Sequence, residues 1–375
     1  MKNVIILFGG VSPEHEVSII TGLQVIDKID RSKFTTFAIK LTQDGLFKYY
    51  ERLFWMQDYS KIKPKSINFG RDNKGAFFKI AGIFGKKVYI DIAYLAFHGG
   101  LGESGQIQGL LETLQVPYTS SNTEGSAIAM NKVLTKEVLE SYQIKTVPWV
   151  RAFSTDIRHN LDKTVSTVIS KLGLPIIIKP SHLGSSIAIN VAKTKADLKK
   201  YLLEASQVDS EILIEKFMTN FVEYNISVRK IGDEVEVSEI EKPLSKDEIL
   251  SFADKYQRGG KKMGGMASLN RELPAKINSK LKNKIEDVAK KSFALIRAKG
   301  VLRIDFMYAN NEIYVTEINP IPGAMSFFLW EACGISFKNQ ITDLLNQAVL
   351  DEENRRSKLL KYDSDILKGL EEASC

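Results

Sequence analysis

Apolar residues recur along this chain with two periods, and the changes from one to the other mark its elements. NVIILFGG, from Asn3 to Gly10, is an apolar run ending in two glycines. SPEHEVSIITGLQVIDKI follows, with Val17, Ile20, Leu23 and Ile26 at helical spacing. Strand, glycine turn and helix in that order predict the start of a doubly wound α/β domain. The order repeats where YIDIAYLAFHGG ends at His98-Gly99-Gly100 and leads into ESGQIQGLLETL. Parallel sheets bind ligands beyond the carboxyl ends of their strands, where both glycine pairs fall. Taken singly, either pair reads more simply as a tight turn.

Further along, AIAMNKVLTKEVLESYQI predicts an amphipathic helix, and LPIIIKPSHLGSSIAINV a strand, a polar glycine loop and a second strand. EILIEKFMTNFVEYNISVRKIGDEVEVSEI reads as a series of strands. NSKLKNKIEDVAKKSFALIRAKG predicts a helix of about six turns closed by Gly300. It delivers the chain to VLRIDFMYANNEIYVTEINP, two strands and a turn. Beyond residue 351 the chain is highly charged, with Leu359, Leu360, Leu367 and Leu370 in a weak helical pattern.

The final hairpin breaks its own pattern, because strands meant to bury a face carry Arg303, Asp305, Glu317 and Asn319. Alternation puts Arg303 with Asp305 on one face and Glu317 with Asn319 on one face. An odd-length turn such as Ala309-Asn310-Asn311 brings the two pairs together; a two-residue Asn-Asn turn opposes them. Two carboxylates and an amide converging from adjacent strands suit Mg2+, and an arginine beside them suits a transferring phosphoryl group. A salt-bridged exposed face fits the same residues. Lys179 ends a strand of three isoleucines, and Gly184-Ser185-Ser186 could then offer backbone N–H groups and hydroxyls to a phosphate, although alone the segment reads as an ordinary strand-loop-strand. No Walker A spacing is present. Glu215, with Lys216, Phe217 and Met218, could read an adenine edge, and Glu223 could hold ribose hydroxyls. DKYQRGGKKMGGMAS could fold as a lid over phosphates, but its composition alone favours a solvated loop.

Composition narrows the class. The 375 residues, 44% hydrophobic and 26% charged, are enough for two or three domains with cores of their own. Two cysteines and four scattered histidines offer neither a disulfide framework nor zinc spacing, so any metal is expected to be a hard ion on carboxylates. No apolar run is long enough for a membrane span, and the opening lacks the pattern of a signal peptide, so the expected location is the cytoplasm. The net charge of +7 leaves nucleic acid open, but the basic residues are dispersed and no recognised nucleic-acid motif occurs, so no nucleic-acid partner is expected.

Together these segments resemble the D-alanine–D-alanine ligase family of the ATP-grasp superfamily, over most of residues 3–348. FGGVSPEHEVSI is similar to its first loop, AFHGGLGESGQIQGLLETLQVPYTSS to its His-Gly loop, and AMNKVLTK to its Met-Asp-Lys-x-x-x-Lys segment, with Asn131 for the aspartate. LPIIIKPSHLGSS and RIDF…VTEINPIPG are the most specific matches.

The resemblance implies an α/β fold: an N-terminal Rossmann-like domain at 1–122, ATP-grasp subdomains at 123–214 and 215–350, and a charged tail at 351–375. It implies an enzyme that joins two D-alanines through an acylphosphate, with ATP as substrate and two Mg2+ ions, Mn2+ being a substitute. Lys132 and Lys179 would bind ATP phosphates, Glu215 and Lys216 to Met218 the adenine, and Glu223 the ribose, with Lys255 also in the ATP site. Asp305, Glu317 and Asn319 would bind metal, and Arg303 with the Gly323 N–H would stabilise transition states. Glu14 would meet the first amino acid in a set with Ser185 and Tyr256, with His98 also on the substrate side. The segment AMSFFLWEACG is shorter than the family's acceptor loop, and Ser326 is its candidate replacement. The acceptor alternatives are D-serine, D-lactate or another amine, and a non-catalytic ATP-binding protein is a further rival. A homodimer is implied by resemblance alone.

Overall fold

The opening apolar run becomes β1 (Lys2–Gly9), an interior strand of a seven-stranded sheet. The computed structural model describes residues 1–82, 85–184, 188–244 and 271–357. β1 lies parallel to β2 (Phe34–Leu41) and β7 (Ile92–Leu95), and Val4 to Phe8 are buried on both faces, as the unbroken apolar run requires. Past β2 the sheet continues antiparallel through β3 (Phe47–Tyr50), β4 (Lys65–Asp72), β5 (Gly75–Ile80) and β6 (Lys87–Tyr89), an extension outside the sequence reading. α1 (His15–Lys28) packs on β1 through Gly22, where a Cβ would lie 2.5 Å from the Phe8 side chain. Ile20, expected on the buried stripe, is 36% exposed. Val17, Leu23 and Ile26 are buried as expected, but strict three-residue spacing drifts around a helix of 3.6 residues per turn, and Ser18, Thr21, Gly22 and Val25 complete the buried face where Ile20 leaves it. α2 (Gln106–Thr113) follows the second glycine pair as expected.

The predicted helix over 127–144 is two helices, α3 (Thr123–Met130) and α4 (Lys132–Ser141). The break falls at Asn131, whose φ of −90° and ψ of 105° leave the helical region while its side chain accepts from Leu134 N–H and caps α4.

A second sheet has the order β10-β9-β11-β8, from β8 (Trp149–Phe153), β9 (Ile176–Pro180), β10 (Asn190–Ala192) and β11 (Glu211–Lys216). β11 runs through residues 214–215. After α5 (Ser154–His159), α6 (Leu161–Leu172) and α7 (Lys195–Val208) bury Val165, Val168, Leu198 and Leu202 against this sheet.

The third sheet has the order β13-β12-β16-β17, from β12 (Val222–Ile231), β13 (Glu234–Val237), β16 (Val301–Ala309) and β17 (Glu312–Asn319). Beside it, β14 (Lys242–Pro243) pairs with β15 (Arg271–Glu272). α8 (Ser279–Leu295) covers the third sheet with Ile285, Ala289 and Phe293. It is shorter than predicted, and Gly300 lies in the connection after it. There φ is +64°, and a Cβ would meet Ser120 N at 2.6 Å, so glycine is required by both backbone and space. α9 (Phe327–Glu331) and α10 (Phe337–Arg356) return to the N-terminal sheet, whose core takes in Trp330, Phe337, Ile341 and Leu344. α10 runs past residue 351, and the remainder of the charged tail from 358 lies outside the described residues. No helix among the described residues is long and apolar enough to cross a membrane.

Candidate active site

β16 and β17 are joined by a two-residue turn, Asn310–Asn311, with φ of +51° and +61°. Asparagine is among the few side chains that tolerate this pair of conformations. The turn sets Ala309 opposite Glu312, which by simple counting would put Asp305 opposite Thr316 and turn Glu317 into the core. A bulge prevents this. Phe306 opposes Val315 while Asp305 opposes Glu317, so Thr316 is an extra residue, and its Oγ1 donates to the Asp305 carbonyl at 2.9 Å. The expected odd-length turn is therefore corrected: the turn is even, and the bulge restores the common face. Arg303 opposes Asn319 in the same register.

The polar row extends across two more strands. Asp305 also opposes Asn225 on β12, and Asn225 forms a bridge with Glu241. Directly opposed residues share a face, so Glu317, Asp305, Asn225 and Glu241 lie side by side. Arg303 is buried and grips Asp305 with two bonds, Nε to Oδ1 at 2.6 Å and a terminal nitrogen to Oδ2 at 2.8 Å. Burial alone would lower the Arg303 pKa, but the Asp305 carboxylate outweighs it and the guanidinium is held charged. Asn319 Nδ2 donates to Asp305 Oδ2 at 3.3 Å. Glu241 lies 3.1 Å from Arg271, yet burial outweighs that attraction and raises its carboxyl pKa.

Opposite this face stand the lysines. Lys132, the first residue of α4, reaches Glu317 Oε1 at 3.2 Å and donates to the Leu183 carbonyl at 2.6 Å. Lys179 on β9 lies 2.5 Å from Glu215 Oε2 on β11, and Lys136, one turn after Lys132, lies 2.6 Å from Glu215 Oε1. Burial would raise Glu215, but the two lysines hold its pKa at about 2. Burial likewise opposes the charge on Lys179, and Glu215 overcomes it and raises the lysine. Glu223, on the same face of β12 as Asn225, adds its field to Lys179. The N–H groups of Lys216 and Phe217 are committed to the carbonyls of Pro148 and Pro175, at 2.9 and 3.1 Å. The backbone expected to read a base thus narrows to the carbonyls and the Met218 N–H.

The N-terminal domain closes the site from the other side. A Cβ on Gly99 would sit 2.7 Å from Glu14 Oε2, and one on Gly184 2.5 Å from the same oxygen, so a side chain at either position would displace the Glu14 carboxylate. Glu103 accepts from Gly99 N–H at 2.5 Å and from Ile321 N–H at 3.2 Å, tying this loop to the end of β17. Burial, then the charge of Glu14, pushes the Glu103 pKa up to about 8. His98 meets Thr21 Oγ1 at 2.8 Å, and burial lowers its pKa to about 4, leaving a neutral imidazole. Glu14, His98, Glu103, Lys132, Gly184, Arg303, Glu317, Asn319 and Gly323 wall a cavity of about 50 Å³, room for a few heavy atoms. Past Gly323 the chain makes a left-handed turn at Ala324, Met325 and Ser326, with φ of 51°, 54° and 49°. Ser326 is fully buried, and its Oγ has no hydrogen-bond partner among the described residues.

The fold thus gathers Glu14, His98, Lys132, Arg303, Asp305, Glu317, Asn319 and Gly323, with Lys179, Glu215 and Glu223 in an adjoining cluster. Ser185, Lys255 and Tyr256 lie outside the described residues. Lys136, Glu103, Asn225, Glu241 and Arg271 were not singled out in the sequence. Lys136 had a legible signal, its i,i+4 spacing from Lys132; Glu241 and Arg271 join the row through a bridge and an ion pair that no local spacing encodes.

A carboxylate-bearing antiparallel sheet joined by Lys132 to a second sheet that presents Lys179 and Glu215 defines an ATP-grasp ligase. Family models for the D-ala D-ala ligase N-terminus and C-terminus match residues 3–121 and 138–346. The D-alanine–D-alanine ligase of Thermosipho melanesiensis is 35% identical over 374 residues, covering 98% of this chain and 99% of that protein. The Clostridium novyi enzyme of the same name is 32% identical, covering 93% and 98%. The chain belongs to the D-alanine–D-alanine ligase family. In fold it is similar to the D-alanine–D-alanine ligase of Coxiella burnetii, with a TM-score of 0.79, 23% identity, and coverage of 95% and 98%. It is also similar in fold to the VanG D-Ala:D-Ser ligase of Enterococcus faecalis, with a TM-score of 0.76, 24% identity, and coverage of 92% and 99%.

Proposed function

We propose that this protein joins two D-alanines into D-alanyl-D-alanine at the cost of ATP, for peptidoglycan precursor synthesis. The observation that carries the reading is the face on which Arg303, Asp305, Glu317 and Asn319 meet Lys132 beside a cavity walled by Glu14 and Gly323. The first carboxylate attacks the γ-phosphorus of ATP, forming an acylphosphate and releasing ADP. The amine of the second amino acid then attacks the acyl carbon, and phosphate leaves. In this reading Lys132 and Lys179 are assigned to the phosphates, Glu14 to the first ammonium group, and Arg303 with the Gly323 N–H to the oxyanion. Such a donor is worth about 3–4 kcal/mol in a preorganised site. Glu215 and the Met218 N–H are assigned to adenine and Glu223 to ribose. The roles of Ser185, Lys255 and Tyr256 rest on resemblance.

The donor set suits Mg2+, since Asp305 and Glu317 are opposed carboxylates and Asn319 adds an amide oxygen, all hard ligands. In this structure the same carboxylates already face the cations of Arg303 and Lys132, so the site is built to concentrate positive charge. We assign these three residues to two Mg2+ ions, or Mn2+, whose chemistry is to neutralise charge on the transferring phosphoryl group. The reading carries a cytoplasmic location, where ATP is supplied, and a homodimer, by family resemblance. ADP release with ATP and D-alanine alone, against an L-alanine control, tests it. A panel of D-serine and D-lactate separates the alternative acceptors. No ADP with D-alanine under these conditions would overturn the reading.

A further inference from the structure

An amino acid that arrives as acceptor brings a carboxylate as well as an amine, and a carboxylate entering a buried site requires a cation. Most cations on the described face stand toward the nucleotide side. Lys132 faces Glu317, Lys136 and Lys179 face Glu215, and Arg303 is clamped on Asp305. Arg271 stands at the other end. The row runs Glu317, Asp305, Asn225, Glu241 across successive strands, and Arg271 joins it at the Glu241 end with a 3.1 Å ion pair. Its charge, like that of Glu241, is felt by Arg303, so these groups form one electrostatic cluster.

A second contact fixes the guanidinium. Arg271 Cζ lies 3.9 Å from the centroid of the Phe328 ring, and 11% of its side chain is accessible. Phe328 stands two residues after Ser326, at the exit of the left-handed turn that follows Gly323. A guanidinium seated over an aromatic ring gains cation–π attraction, and its fork of N–H donors matches the geometry of a carboxylate. The segment that departs most from the family pattern therefore places an aromatic platform under a cation.

We propose that Arg271, positioned by Glu241 and Phe328, receives the carboxylate of the acceptor amino acid and is a specificity-determining residue. This rests on the ligase reading above. The test offers D-alanine and D-alaninamide together as acceptors, with ATP and D-alanine as donor, and weighs the two products by mass spectrometry. The variants are Arg271→Met combined with Glu241→Gln, which removes both members of that ion pair together, and Arg271→Lys, which keeps the charge without the guanidinium. Loss of one charge-assisted contact predicts that the ratio of acid to amide product falls about tenfold in the double variant, with the KM for ATP changed less than about twofold. Arg271→Lys is expected to give an intermediate ratio, and serves alone if the double variant does not fold. An unchanged ratio in a variant that turns over removes the proposal and leaves the ligase reading standing. Wild-type protein that makes no dipeptide removes both.

Discussion

Asp305 and Glu317 stand opposite one another because Thr316 is one residue more than the hairpin needs. The two-residue turn alone would have buried Glu317 among the apolar side chains of the third sheet. The bulge moves Glu317 and Asn319 onto the face of Asp305 and Arg303, and the Thr316 hydroxyl pins it to the Asp305 carbonyl. A local irregularity thereby creates the candidate metal site, while Ile313, Val315 and Ile318 still reach the core.

Glu317→Gln removes one of the two opposed carboxylates and leaves the bulge in place. ADP release is expected to fall by about 10²–10³-fold, the scale of losing one charge-stabilising group in a preorganised site. Circular dichroism and the thermal midpoint are expected to stay near wild type. Turnover within a few-fold of wild type would overturn the metal assignment.

The turn itself is open to test. Asn311 holds φ at +61°, which a β-branched side chain strongly resists. Asn311→Val is expected to cost roughly 1–2 kcal/mol in urea unfolding. Asn311→Gly is expected to be neutral or slightly stabilising. Equal stability of the valine and glycine variants would mean that the turn is not left-handed in solution.

Much of this site was legible because its residues sit in short ordered motifs. The alternation of RIDF and VTEIN, the lysine at the end of three isoleucines, and the glycine pairs after β1 and near β7 each announced a local geometry. What escaped depends on contacts between distant segments. Parity of the hairpin was unreadable because a bulge leaves no fixed residue signature, and the odd-turn expectation failed for that reason. The helix break at Asn131 was hidden by apolar spacing that continues through it, although asparagine is a good cap. Glu103 carries no local signature, because its partner Ile321 N–H lies 218 positions away along the chain.

Lys136 is a strong candidate for a positioning role because Glu215 holds a cation on each oxygen. If Lys179 is drawn to a phosphate, Lys136 remains as the counter-charge of a carboxylate that is only 2% exposed. Lys136→Met is expected to cost about 3–5 kcal/mol of stability, as when one partner of a buried ion pair is removed. ADP affinity, measured by calorimetry on the folded variant, is expected to fall about tenfold or more. A variant that binds ADP as wild type does would show that Glu215 needs no second lysine.

Glu103 predicts a pH dependence whose sign follows from its burial. Its carboxyl titrates at about 8 in the folded protein against an ordinary value of 4.5, so the folded state keeps a proton that the unfolded chain releases. Below pH 4.5 both states are protonated and its contribution to stability is fully present. Between pH 4.5 and 8 the folded state binds more protons, so stability falls as pH rises, by up to about 1.4 kcal/mol per unit. His98 acts in the opposite sense: its pKa is lowered to about 4, so its contribution is lost as pH falls from 6.5 toward 4. Comparing wild type with Glu103→Gln at each pH isolates the glutamate, since His98, Glu14 and Arg303 are common to both. The variant loses one of the two N–H acceptors and is expected to be less stable at pH 5. Wild type is then expected to lose its advantage steadily toward pH 8, measured by urea unfolding of the protein without ligands. A difference between the two proteins that does not change with pH would mean that Glu103 is ionised throughout, and that the link between Gly99 and Ile321 is made by a carboxylate rather than by a carboxylic acid.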